Sequence, residues 1–226
     1  MALVLFSGGC DSTLVLYQLL QNQDIRENVK TLSILHPQVG AQEPQKRARE
    51  NIFKEFQARE LPTLRQKIEF EYKFEESMSS PGEGGITQPL LWLPIAFMFA
   101  EAGEKIYAGY HKGDDFFKFH DRSLALLDAM CEMHNRKVYM EFPLEYMRKS
   151  DIIQELKDRR LYEFCWYCEF PEENGGACKK CYPCITHRAA VIESHLEKKL
   201  NPRKHNFSKS VFKEALLLKD AISVHN

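Results

Sequence analysis

Residues 2–13, Ala-Leu-Val-Leu-Phe-Ser-Gly-Gly-Cys-Asp-Ser-Thr, run an apolar strand straight into two glycines and then into the opening of a helix. That junction constrains the chain more than any other feature. Gly8 and Gly9 let the backbone turn tightly and aim successive N–H groups at one point. Ser12 and Thr13 add hydroxyls at the positive end of the helix dipole, so the strand–loop–helix unit reads as an anion site. No lysine closes the loop, which separates it from the phosphate loop of kinases and GTPases. The three-glycine spacing of dinucleotide sites is also missing.

The rest of the chain repeats the strand–helix alternation. Strands are predicted at 2–6, 31–36, 67–74, 105–110 and 137–142. Helices are predicted at 12–21, 44–60, 90–103, 124–134, 149–159 and 185–200, with a last amphipathic one over 210–224. Strands joined by helical crossovers imply an α/β fold with a parallel sheet, and ligands in such sheets bind beyond the carboxyl ends of the strands. The segment 75–87, rich in Ser, Gly, Pro and acid, reads as a loop over the sheet edge. Three regions are expected: an α/β domain over 1–160, a cysteine-rich subdomain over 161–200 and a helical tail over 201–226. The 31 Lys and Arg balance 32 Asp and Glu, so composition gives no reason to expect a nucleic-acid partner. The first apolar run is five residues long with no basic start, and no run approaches the roughly 20 apolar residues of a membrane span. The cytoplasm is the expected location, with no membrane partner.

Five of the seven cysteines, Cys165, Cys168, Cys178, Cys181 and Cys184, fall within 20 residues. Such a cluster reads as a metal site rather than a disulfide framework. Cys178-x-x-Cys181-x-x-Cys184 with Cys168 offers four thiolates to one tetrahedral zinc, and Gly175-Gly176 supplies the bend. A closed four-sulfur shell makes the zinc structural. Five candidates for four seats leave the first ligand open between Cys165 and Cys168.

Ser7-Gly8-Gly9-Cys10-Asp11-Ser12 resembles the loop of the PP-loop ATP pyrophosphatases, which holds the β,γ-pyrophosphate while the α-phosphorus is attacked. With the cysteine cluster, the chain resembles one family in particular, QueC, the 7-cyano-7-deazaguanine synthases of queuosine biosynthesis, from Ala2 to Ala190. Trp166 two residues before Cys168, and Arg188 after Cys184, fit its pattern. So do Ser33 and Gln38, the run Ile106–Gly109 followed by Asp114 and Arg122, and Pro143-Leu144 followed by Lys149 and Ile152. The resemblance implies a PP-loop domain with a small zinc subdomain. It also implies ATP and Mg²⁺ as cofactors, with Ser7, Gly8, Gly9, Cys10, Asp11, Ser12, Thr13, Gln38, Gly109 and Asp114 binding them. Asp11, Ser12, Lys149 and Arg122 would be catalytic, the two cations neutralising charge on the α-phosphate. Arg122 has a plainer reading as a partner of Asp121 or Asp128, and Lys149 as a solvated residue at a helix start. The implied reaction adenylates 7-carboxy-7-deazaguanine and lets ammonia displace AMP to give an amide. A second ATP then activates the amide oxygen to give the nitrile. A homodimer is also implied.

The chain departs from the family at two places. Leu35-His36-Pro37-Gln38-Val39 stands where the family carries Asp-Tyr-Gly-Gln-Arg, and Ile86-Thr87-Gln88-Pro89 where it carries Pro-x-Arg-Asn. A changed wall opens a second reading: an enzyme of an anti-phage or DNA-modification system that passes the activated deazaguanine to a protein amine, or stops at the amide or adenylate. Lysidine formation and tRNA thiolation use the same loop, but the four cysteines, the Pro-Leu…Lys match and the lack of a basic surface point away from them. His36, His111 and His120 read as solvated loop histidines, and Phe116, Phe117 and Phe119 as either a base-stacking group or an apolar lid.

Overall fold

The structure, a computed structural model, describes residues 1–35, 42–71 and 88–200. His36, Pro37, Gln38, the segment 75–87 and the tail 201–226 therefore lie outside the described residues.

Five strands form one sheet: β1 (Ala2–Leu5), β2 (Val29–Leu35), β3 (Gln66–Glu71), β4 (Lys105–Tyr107) and β5 (Tyr139–Glu141). Their order is β3-β2-β1-β4-β5, and every neighbouring pair is parallel. The helices are α1 (Cys10–Gln21), α2 (Gln42–Ala58), α3 (Gln88–Phe99), α4 (His120–Met133), α5 (Lys149–Asp158) and α6 (Tyr182–Leu200). The fold class expected from the strand–helix alternation is the one observed.

β1 is central and covered on both faces, which is why it reads as an unbroken apolar run. Ala2, Val4 and Phe6 join α1, α2 and α5 in one core, while Leu3 joins α3, α4 and Ile106 in the other. The chain winds outward from β1 to β3, then returns to the other side of β1 as β4. A reversal of that kind leaves a crevice at the carboxyl ends of the two strands where it occurs. Here those strands are β1 and β4, whose ends carry Ser7–Asp11 and Gly109–Asp114.

Two local conflicts are resolved by burial. α3 carries Pro94 in its interior, a placement that costs about 3 kcal/mol or more. Trp92, Leu93, Ala96 and Phe97 are all buried beside it, and at roughly 1.5–3 kcal/mol for each large side chain their burial outweighs the proline. At the opposite end of the sheet from the crevice, Lys30 of β2 is buried. It is held by Glu104 at 2.7 Å, Glu101 at 3.2 Å and the Phe99 carbonyl at 3.3 Å.

Glu104 is fully buried, so Lys30→Met strands a carboxylate in the core. Unfolding in urea is expected to show a loss of about 3–5 kcal/mol for Lys30→Met, and most of it recovered in Lys30→Met/Glu104→Leu. Equal losses in the single and double variants would mean that the ion pair is not what stabilises this end of the sheet.

Candidate active site and metal centre

The loop between β1 and α1 owes its shape to one glycine. Gly8 has φ +83°, and a Cβ there would lie 3.1 Å from both Arg49 Cγ and the Gln45 carbonyl oxygen of α2. Gly9 is the N-cap of α1 and makes no side-chain cap bond. The first N–H groups of a helix have no partner within it, so this twelve-residue helix presents them at the crevice. Ser7 is exposed, and its Oγ lies 3.2 Å from Ser12 Oγ and accepts the Gly9 N–H at 3.2 Å. Thr13 is different: it is fully buried and donates to the Gly9 carbonyl at 2.7 Å. Its hydroxyl holds the turn into α1. Cys10 points into the core against Cys165, so only its main chain faces the loop.

Asp11 and Lys149 form an ion pair that joins the start of α1 to the start of α5. Burial pulls the Lys149 pKa down, but Asp11 and the surrounding negative groups overcome it, and the ammonium is held above its ordinary range. The other carboxylate oxygen of Asp11, Oδ1, is buried and makes no hydrogen bond. Asp114 caps a short 3-10 turn, its Oδ1 accepting the Phe116 N–H at 2.9 Å. Its carboxyl is raised mainly by burial, with the Phe116 N–H opposing the rise. Among the nearby charges His111 and Lys149 lower it and Asp11 raises it.

Gly109 lies against them for a steric reason. A Cβ at 109 would sit 2.8 Å from the Ser12 nitrogen and 2.9 Å from the Asp11 carbonyl carbon. The missing Cβ lets β4 pass beneath the loop. Ser33 is likewise structural, donating from β2 to the Phe6 carbonyl at 2.7 Å. Arg122 stands exposed in the first turn of α4, and no contact among the described residues joins it to Asp11 or Lys149. Phe116 is buried, stacked on Tyr110 at 4.0 Å with an interplanar angle of 8°, and packed with Trp92 and Phe142. It belongs to an apolar wall beside Asp114. Phe119 stays exposed.

The ligand atoms of Cys168, Cys178, Cys181 and Cys184 all lie within 4.8 Å of one another, with Cys168–Cys181 at 4.0 Å and Cys178–Cys184 at 3.9 Å. A tetrahedron with zinc–sulfur bonds of about 2.3 Å has edges of about 3.8 Å, so the set fits a single ion. A tight turn in which Gly175 has φ +79° brings Cys178 back toward Cys168. N–H groups of Lys180 and Cys181 point at Cys178 Sγ and lower its pKa to about 6. Cys165 stands apart from the set, its Sγ directed at the Leu161 carbonyl at 3.5 Å.

Two features were not read from the sequence. The Trp166 N–H donates to the Gly8 carbonyl at 3.0 Å, which fastens the cysteine segment to the glycine loop. His187, one helical turn after Cys184, is buried and stacked on Tyr167 at 3.7 Å, with Nε2 2.9 Å from the Tyr162 hydroxyl and Nδ1 unpartnered. Burial first, then Lys149, lowers its pKa to about 4, so the ring is neutral. The spacing Cys184-x-x-His187 would have placed it on the cysteine side of α6.

The cysteine geometry predicts a clean contrast in metal analysis of purified variants. Cys168→Ser is expected to lose most of the bound metal, and Cys165→Ser to keep it at the parent stoichiometry. Loss in Cys165→Ser with retention in Cys168→Ser would reverse the assignment.

Residues 87–195 match the family model described as "Queuosine biosynthesis protein QueC". That span holds Gly109, Asp114, Arg122, Lys149 and the four clustered cysteines, while the glycine loop lies before it. No curated protein matches the chain. Among solved structures, the U34-tRNA thiolase NcsA from Methanococcus maripaludis with its [4Fe-4S] cluster is similar at 12% identity and a TM-score of 0.46, covering 95% of this chain and 72% of that one. A likeness of that extent carries no inference about this chain. Over residues 87–195, from the start of α3 through most of α6, the chain is QueC-like.

Proposed function

We propose that the chain is an ATP-consuming enzyme that adenylates an oxygen of 7-carboxy-7-deazaguanine and, with ammonia, carries it through the amide to 7-cyano-7-deazaguanine. The observation that carries this reading is the Asp11–Lys149 ion pair, which ties the glycine loop to the QueC-like segment at the crevice between β1 and β4. The open N–H groups of α1 suit the leaving pyrophosphate. The Lys149 ammonium lies beside them, where it would neutralise charge developing on the α-phosphate. The buried, unpartnered Oδ1 of Asp11 is a natural ligand for Mg²⁺.

In the first half-reaction a carboxylate oxygen attacks the α-phosphorus and pyrophosphate leaves. Ammonia then adds to the acyl carbon, loses a proton, and AMP departs with the C–O bond. In the second half-reaction the amide oxygen attacks the α-phosphorus of a second ATP and a second pyrophosphate leaves. Loss of AMP and the remaining N–H protons leaves the nitrile. Positioning and charge neutralisation carry most of this chemistry. Zinc in the four-cysteine centre would hold the Cys168–Cys184 segment against the loop and take no part in bond changes.

The test is incubation of the purified protein with ATP, Mg²⁺, 7-carboxy-7-deazaguanine and ammonium, followed by mass spectrometry. The nitrile and two AMP per product are expected, with kcat down at least about a hundredfold in Lys149→Met. Amide or adenylate alone would favour the second reading, transfer of the activated deazaguanine to a protein amine. No AMP with this substrate would overturn both.

A further inference from the structure

Tyr110 follows Gly109 at the carboxyl end of β4, beside the backbone of Asp11 and Ser12. The indole N–H of Trp92, a buried residue of α3, lies 2.7 Å from its hydroxyl. An indole nitrogen only donates, so the phenol oxygen accepts this bond and keeps its own proton to give. Among the described residues nothing takes that proton. Burial raises the Tyr110 pKa well above its ordinary range, with the Trp92 N–H opposing the rise, so at neutral pH the group is a hydroxyl and a donor.

The ring is fixed as firmly as its oxygen. It stacks on Phe116, and Trp92 and Phe142 tilt against it with centroids at 5.9 and 6.3 Å. Asp114 adjoins the same Phe116, whose N–H its Oδ1 accepts, and its charge is felt at Tyr110. Its other oxygen bonds to none of the described residues. The end of β4 therefore carries, on one apolar wall, a hydroxyl oriented to donate and a carboxylate oxygen free to accept.

We infer that Tyr110 is a specificity-determining residue: its hydroxyl donates to a ring carbonyl of the substrate while Asp114 accepts the neighbouring ring N–H. Trp92 is the positioning residue, acting through Tyr110. The inference rests on the reading of the substrate as 7-carboxy-7-deazaguanine, whose six-membered ring carries that lactam edge. The 2,6-diamino analogue has an amino group in place of the carbonyl and a bare nitrogen in place of the N–H. It would set donor against donor and lone pair against carboxylate, the kind of mismatch that a polar site rejects most strongly. A bond that only ties α3 to the end of β4 would account for the indole N–H but leave the phenol proton unpaired in a half-buried place.

Titration calorimetry of the full-length protein with the two bases tests this, with Mg²⁺ and an ATP analogue that cannot be split at the α-phosphorus. The parent is expected to bind the lactam at least about a hundredfold more tightly than the diamino analogue. Tyr110→Phe keeps the stacked ring and should cut that ratio at least about tenfold, with a smaller cut in Trp92→Phe. Tyr110→Phe also strands the buried indole N–H, so its unfolding midpoint should fall. Tyr110→Phe/Trp92→Phe removes both partners and should recover the midpoint while the ratio stays low. A parent that binds the lactam with a ratio unchanged in Tyr110→Phe would overturn this inference and leave the proposed function standing. A ratio that recovers with stability in the double variant would do the same, since the bond would then be structural. A parent that binds neither base would overturn both.

Discussion

Everything that makes the crevice a site depends on the Asp11–Lys149 ion pair. Asp11 belongs to a loop fixed by β1 and α1, and Lys149 to a helix that follows β5, 138 residues later. Their contact spans the place where the sheet reverses direction, so it registers the two halves of the fold against each other. It also leaves one carboxylate oxygen without a partner and one ammonium held firmly protonated. A cation beside open helix N–H groups is the combination that phosphate chemistry needs, and here it is built from rigid elements rather than loop tips.

The cysteine centre acts as a buttress to that site. Its first ligand, Cys168, lies two residues after Trp166, whose main chain bonds to Gly8. Its last ligand opens α6, where His187 is stacked between Tyr162 and Tyr167 close enough to Lys149 to feel its charge. Cys10 and Cys165 meet beneath the loop in the main core. Cysteine cluster, loop and core are therefore mechanically continuous. Disturbing the thiolates would be felt at Gly8 before it was felt in the sheet.

Much of this was legible in the sequence because local and tertiary signals agree. The unbroken apolar run at residues 2–6 declared a strand, and the paired glycines declared the tight turn into α1. Cys178-x-x-Cys181-x-x-Cys184 declared a metal turn, while the choice between Cys165 and Cys168 needed three dimensions. Residue roles were harder to read than residue positions. Nothing in the linear pattern shows that Gly109 clears a path for Asp11 and Ser12 or that Thr13 satisfies the Gly9 carbonyl. The Trp166–Gly8 bond uses main-chain atoms only, so no side-chain pattern could announce it. Pro94 marks a helix end by local rules, and burial of its neighbours overrides it.

The central claim is that ATP is split at its α-phosphorus by an oxygen of the substrate. It is tested most directly with 7-carboxy-7-deazaguanine labelled with ¹⁸O in the carboxylate, supplied with unlabelled ATP, Mg²⁺ and ammonium in ordinary water. The account predicts AMP carrying ¹⁸O on its phosphate, formed together with pyrophosphate. ADP and inorganic phosphate as the products, or AMP free of label, would contradict it.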